Sequence, residues 1–395
     1  MALLDIVIAG GARTAFGKFG GSFRDLSAAD LALAASLEAL KRSQVRAEDI
    51  DHVVFGNVIQ SSGDAAYLAR HVGLRAGVPI PVPAMVVNRL CASGFQAIVT
   101  GAQEILCGDA EEVLVGGVES MSQAPHVVRG ARWGIPLGQS SMGDALWDAL
   151  TDTYCGCSMS NTAENLASQY GITREETDEF ALRSQKLAAE AQSSGRLQEE
   201  IVGVEVRGKK GSVTVDKDEG IRGDSTLEGL ARLKPAFRAD GVVTAGNASG
   251  INDGAAALVL TSAESAKKRE IKPLGRLLGW SVKGVIPDLM GIGPAPAVRD
   301  LLQKTGKSLH EIDLIEVNEA FACQYLAVER ELGLPREKVN VNGGAVAIGH
   351  PLGASGARLT LTLLYELRRR GGKLGIATAC VGGGQGMALL VESIQ

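Results

Sequence analysis

The chain has 395 residues, 45% of them hydrophobic, with 40 Lys and Arg against 45 Asp and Glu, a formal net charge of -5. That is enough chain for one large core or two to three joined ones; the balance lacks the concentrated basic surface of a nucleic-acid binder, and apolar runs such as 255–260 fall far short of the roughly 20 residues of a membrane span. Six cysteines, at 91, 107, 155, 157, 323 and 380, are too few and too irregularly spaced for a disulfide framework and read as reduced thiols.

Residues 6–9 read as a strand, entered directly from Met-Ala-Leu-Leu-Asp without the basic and long apolar segments of a secretory signal. Ser27-x-x-Asp30 announces a helix over 31–40, and strands follow at 53–58 and 85–87. A helix begins near Ser93 and ends around Gly108, ahead of a strand at 113–115. Residues 121–249 are more polar, rich in Lys, Arg and Glu, with a helix start at Thr173-x-x-Glu176. The pair Cys155 and Cys157 lies here, spaced C-x-C with no second pair or histidine nearby; no metal is expected and both read as structural. Strands resume at 312–317, 374–379 and 387–391, with a long helix closing at Arg368-Arg369-Arg370-Gly371. This alternation predicts βαβ units around a largely parallel sheet.

The chain also repeats itself. Leu90-Cys91-Ala92-Ser93-Gly94 matches Leu352-Gly353-Ala354-Ser355-Gly356, and Ile50-Asp51 matches Ile312-Asp313, both 262 positions on; Gly116-Gly117 and Gly382-Gly383 follow at 266. Two similarly folded α/β halves related by a pseudo-twofold are expected: 1–120 plus 250–270, and 271–395, with 121–249 as an inserted loop domain. The insert carries Arg207, Lys209, Lys210, Lys217, Arg222, Arg232, Lys234 and Arg238. Most of these read as a solvated surface, while a phosphate-bearing ligand would need one or two.

Cys91 falls where a strand gives way to a helix, so the helix N-terminus should favour thiolate and lower its pKa. A lone cysteine is more often inert core; here His350, framed by Gly349-His350-Pro351-Leu352-Gly353, supplies a base that could take the thiol's proton. Cys380 precedes Val381-Gly382-Gly383-Gly384, whose bare N–H groups suit an oxyanion hole, and Asn318 ends a strand where α/β sheets commonly bind ligands.

These residues resemble the thiolases, nearest to the 3-ketoacyl-CoA and acetyl-CoA acyltransferase members, along essentially the whole chain. The resemblance rests on Asn88-Arg89-Leu90-Cys91-Ala92-Ser93-Gly94, Gly117-x-Glu119-Ser120-Met121-Ser122, Asn247-Ala248-Ser249-Gly250, Met290-Gly291-Ile292-Gly293-Pro294, Asn318-Glu319-Ala320-Phe321, Gly349-His350-Pro351-Leu352-Gly353 and Cys380-Val381-Gly382-Gly383-Gly384. It implies a layered α/β/α/β/α fold with duplicated halves and an acyl-transfer cycle in which CoA thioesters are substrates and nothing is bound permanently. Cys91 would be acylated, His350 would activate it, and Cys380 would act as acid and base at the α-carbon. Asn318 would hold a water that, with His350, cradles the thioester oxygen, and the Cys91 and Gly382 N–H groups would form a second oxyanion hole. For CoA the resemblance implies Ser249 at the pantetheine and Arg222 near the nucleotide, with Met159, Met290 and Phe321 bordering the acyl pocket; the long thioether chains of the two methionines also suit plain core. Ser158-Met159-Ser160 departs from the Met-Gly that many members carry before Thr162-Ala163-Glu164-Asn165, which bears on acyl preference. A homotetramer, a dimer of dimers joined partly through 125–144, is also implied; the reduced cysteines point to a cytoplasmic setting of bacterial type or one like the mitochondrial matrix. The competing readings are a fatty-acid-type condensing enzyme, an acyl-CoA thioesterase, and a non-enzymatic acyl-CoA carrier.

Overall fold

The computed structural model describes residues 5–138, 141–208 and 211–395. Five principal strands come from the first part of the chain: β1 (Ile6–Thr14), β2 (His52–Gly56), β3 (Ala84–Val87), β4 (Glu112–Ser120) and β5 (Asn252–Ser262). Four come from the last part: β6 (Gly275–Gly284), β7 (Leu314–Val317), β8 (Leu374–Val381) and β9 (Gln385–Ser393). They hydrogen-bond in the order β7-β8-β9-β6-β1-β5-β4-β2-β3, with Ile201–Val202 added beside β1 and Gly17–Lys18 beside β5. The order mirrors itself about the β6–β1 seam. On either side an antiparallel trio, β1-β5-β4 or β6-β9-β8, is followed outward by a parallel neighbour, β2 or β7.

The sheet is therefore mixed, not largely parallel as the alternation predicts. Only three glycines separate β8 from β9, and so short a connection can join only antiparallel strands. The alternation was also incomplete, because β5 was visible only as an apolar run and β6, with Arg276 and Lys283 among its apolar residues, was not visible at all.

The helices used below are α1 (Ala28–Ser43), α2 (Ser93–Cys107), α3 (Met159–Tyr170), α4 (Arg174–Ser193), α5 (Pro294–Thr305), α6 (Ala322–Leu332) and α7 (Leu352–Arg370). Side chains alternate across each strand, so each half-sheet has two apolar faces. Ile6, Ile8, Val113 and Val115 point to the same core as Ala377, Ala379, Leu389 and Val391, and α2 and α7 fill it. The opposite faces pack on α1 in the first half and on α5 and α6 in the second. The result is five layers, α/β/α/β/α, in which α2 and α7 share the middle. Their approach requires glycine: a Cβ on Gly94 would lie 2.6 Å from the Ala357 nitrogen and 2.8 Å from the Gly353 oxygen.

The duplication is visible in single hydrogen bonds. Asp51 Oδ2 accepts from the backbone N–H groups of Glu111 and Glu112 at 2.9 and 3.0 Å; Asp313 Oδ2 accepts from those of Lys373 and Leu374 at 2.7 and 2.9 Å. All three positions are shifted by the same 262 residues that relate the sequence motifs. The segment between β4 and β5, which contains α3 and α4, is tied to β1 by Arg13. This fully buried guanidinium bridges Glu200 Oε1 at 2.6 Å and Asp218 Oδ1 at 2.7 Å.

Candidate active site

Between β3 and α2 the chain turns through Leu90, whose φ of 44° lies in the left-handed region that side chains rarely adopt. The turn is held by side chains. Asn88 Oδ1 accepts from the Leu90 N–H at 2.9 Å, and Ser93 Oγ accepts from the Arg89 N–H while donating to the Leu90 carbonyl. This places Cys91 just ahead of α2, whose N-cap is Ala92. The Cys91 sulfur is met by its own N–H and by that of Gly382.

Proximity to the helix N-terminus does not lower the Cys91 pKa as the sequence suggests. Burial pushes the thiol up to about 11, with a further contribution from the Glu119 carboxyl, against the opposing pull of the two N–H groups. Magnitudes explain the outcome. A helix terminus contributes about 0.3–1 kcal/mol, less than one pKa unit, whereas full burial moves a pKa by up to about 3–5 units.

His350 sits between a short helix (Ala345–Ile348) and α7, its N–H donated to Asn252 Oδ1 at 3.1 Å. Ser355 lies one turn into α7, and its hydroxyl donates to the Pro351 carbonyl at 2.9 Å. That hydroxyl can therefore only accept from His350 Nδ1, 2.5 Å away, which assigns the ring proton to Nδ1 and leaves a lone pair on Nε2. Asn318 Nδ2 approaches Nε2 at 3.3 Å. Burial, then the nearby Arg358 guanidinium, push the imidazole down to about 4, so it is neutral near pH 7.

A cavity of about 400 Å³ opens onto this point. Cys91, His350, Met159, Met290 and Phe321 line it, as do Ser249 and Arg222. Ser249 also donates to the Ala320 carbonyl at 2.9 Å. Cys380, Asn318 and Gly382 do not line the cavity; they form the layer behind it. Cys380 is fully buried in β8 against Met159, Met290, Ala320 and Phe321, and burial together with the adjacent Cys91 holds its thiol well above the ordinary range. Of the basic stretch in the insert, Arg222 reaches the cavity; Arg238 instead donates to Asn165 Oδ1 at 2.5 Å, and Lys209 and Lys210 lie outside the described residues.

Three residues of the site carry no role in the sequence reading. Ser355 orients His350. Glu119, completely buried, accepts from Asn57 Nδ2 and the Ile59 N–H on one oxygen and from the Val58 and Gly353 N–H groups on the other, so it joins β2, β4 and the start of α7. Burial raises its pKa to about 7. Lys18 stands in the cavity wall beside Asn252 and had no local signal. Glu119 and Ser355 did lie inside quoted motifs, but nothing local distinguishes a carboxylate that will meet four donors from one on a surface.

The profile described as "Thiolase, N-terminal domain" matches residues 6–264 and that described as "Thiolase, C-terminal domain" matches 271–393. The chain is 52% identical over 395 residues to a mitochondrial 3-ketoacyl-CoA thiolase of Homo sapiens, covering 100% of both. It is 48% identical to an acetyl-CoA acetyltransferase of Syntrophomonas wolfei, covering 99% of both. Among solved structures, human mitochondrial 3-ketoacyl-CoA thiolase superposes with a TM-score of 0.98 at 51% identity and 100% coverage of both chains. The same human protein in complex with CoA gives 0.97, with 99% and 98% covered.

Proposed function

Since the chain belongs to the thiolase family and is an acyltransferase of that kind, we propose that Cys91 is the residue acylated and that CoA thioesters are its substrates. One observation carries the assignment: Cys91 and His350, 259 positions apart, face one cavity, with the Gly382 N–H already turned to the sulfur and Cys380 beside it.

In thiolysis of a 3-ketoacyl-CoA, Nε2 of His350 takes the Cys91 proton and the thiolate attacks the keto carbon. The bond between C2 and C3 breaks, leaving an acyl group on Cys91 and an enolate that Cys380 protonates. Incoming CoA thiol then displaces the acyl group, and acetyl-CoA and a shortened acyl-CoA leave; condensation runs the same steps backwards. An α-proton is too weakly acidic for a cysteine thiolate to remove unless the enolate oxygen is stabilised as it forms. His350 provides that once Nε2 is protonated. Asn318 Nδ2 then no longer faces a lone pair there and can hold a water beside the same oxygen. The N–H groups of Cys91 and Gly382 serve the tetrahedral oxyanion of the acyl-enzyme, a role supported by their direction toward the sulfur.

Arg222 would meet the nucleotide and Ser249 the pantetheine, while Met159, Met290 and Phe321 border the acyl group; all five line the one cavity, which supports a shared ligand. CoA is treated as substrate, not as a resident cofactor, in keeping with the human relative's CoA complex. The division into two halves, 1–120 plus 250–270 and 271–395, with a loop domain at 121–249, follows the mirror symmetry of the sheet. A homotetramer is supported by exposed Trp133, Ile135, Leu137 and Met142 in the segment expected to join dimers. No helix among the described residues is long and apolar enough to cross a membrane, and six free cysteines support a reducing, cytoplasm-like compartment. Steady-state kinetics with acetoacetyl-CoA and a longer 3-ketoacyl-CoA test the reading. CoA-dependent cleavage supports it; release of free acid without CoA would favour the thioesterase instead.

A further inference from the structure

Outside the catalytic layer, one other pair of nucleophiles shares a small space. A hairpin runs from Thr151–Asp152 to Cys157–Ser158, with Asp152 registered opposite Cys157 and the Gly156 N–H donated to the Asp152 carbonyl at 2.9 Å. The Cys155 sulfur folds back to within 3.9 Å of that same carbonyl. Cys155 and Cys157 thus stand one residue apart on a turn whose contacts both run to Asp152, through the Cys155 sulfur and the Cys157 backbone register. Gly156 between them adopts a φ of 70°, which shortens the Cα separation relative to an extended tripeptide and moves it toward the window a disulfide needs. The turn is open to solvent: Tyr154 is 88% exposed and both cysteines are only partly covered.

Metal binding is the weaker use of this pair, because no group of three or more His, Cys, Asp or Glu side chains converges among the described residues. Two thiols one residue apart on an accessible turn have a different natural chemistry, exchange with a disulfide. The base of the hairpin, where the Met159 N–H is donated to the Leu150 carbonyl at 2.9 Å, is itself part of the cavity wall.

We propose that Cys155 and Cys157 form a dithiol site that exchanges with low-molecular-weight disulfides to give an intramolecular Cys155–Cys157 disulfide. One cysteine thiolate attacks a sulfur of the small disulfide RSSR, forming a protein–S–S–R bond and releasing RS⁻. The other, as thiolate, attacks the protein sulfur of that bond, forming Cys155–S–S–Cys157 and releasing the second RS⁻. The protein loses two hydrogens and two electrons, and RSSR gains them as two RSH.

The test is incubation of the reduced full-length protein with oxidised glutathione, followed by acid quench and peptide mapping by mass spectrometry. The peptide carrying both residues is expected to lose two hydrogens without retaining glutathione. Cys155→Ser and Cys157→Ser should each stop at a stable glutathione adduct on the remaining thiol. Cys107, exposed and single, reports that exchange has taken place. The proposal is overturned if Cys107 becomes glutathionylated while the 155–157 peptide stays reduced, or if the wild-type peptide accumulates glutathione adducts in place of the internal disulfide.

Discussion

Replacing Ser355 with alanine isolates the device that keeps His350 a base. The Ser355 hydroxyl is the acceptor for His350 Nδ1–H at 2.5 Å, and both side chains are buried, His350 5% exposed and Ser355 2%. In Ser355→Ala that N–H loses its acceptor, and an unsatisfied buried donor costs about 1–3 kcal/mol. The ring can escape the cost by moving its proton to Nε2, but no lone pair then remains on the Asn318 side to take the Cys91 proton. The working tautomer falls in population by the same free energy, which at about 1.4 kcal/mol per decade is roughly 5- to 150-fold. The expected result is a loss of that size in kcat for thiolysis of acetoacetyl-CoA, with KM little changed because the hydroxyl does not line the cavity. Melting temperature, measured alongside, should shift only modestly. A variant that keeps kcat within about twofold of the parent would refute the tautomer argument.

Glu119→Gln puts an amide NH₂ where a carboxylate oxygen met two N–H groups; at least one donor pair then clashes, and the melting transition should fall by an amount corresponding to about 1–3 kcal/mol. Gly94→Ala drives a methyl into the backbone of α7, so helices that carry Cys91 and His350 at their starts must separate; a cost near 3 kcal/mol and loss of activity are expected, read by melting and turnover. Because the free Cys91 thiol is pushed up to about 11, its thiolate fraction grows with pH, and alkylation by iodoacetamide should accelerate about tenfold per unit from pH 7 toward 10. A plateau already reached below pH 7 would instead mean a preformed thiolate–imidazolium pair. Charged substitution at Trp133 and Leu137, the first 89% exposed and the second wholly so, should reduce the mass measured by light scattering from tetramer toward dimer.

Much of this protein is written locally. Ser27 with Asp30, and Thr173 with Glu176, close capping boxes within four residues of chain, and both helices begin where those motifs stand. The 262-residue repeat was legible in the residue identities themselves, and each half closes its own copy of the contact, Asp51 to Glu111 and Asp313 to Lys373. Cys91 and His350 could be selected because glycines and helix starts frame them within a few positions, and Cys380 because a run of glycines follows it.

What the tertiary structure decided depends on partners far away in the chain. Glu119 became a junction through Gly353, 234 positions on, and strand direction in the two central trios depended on β5 and β6, whose partners no local pattern names. The protonation of Cys91 and His350 was decided in the same way. Solvation is a property of everything packed around a group, and burial outweighed the helix terminus that the sequence placed beside the sulfur. A motif specifies which atoms are available; only the packing around them sets the dielectric in which they work.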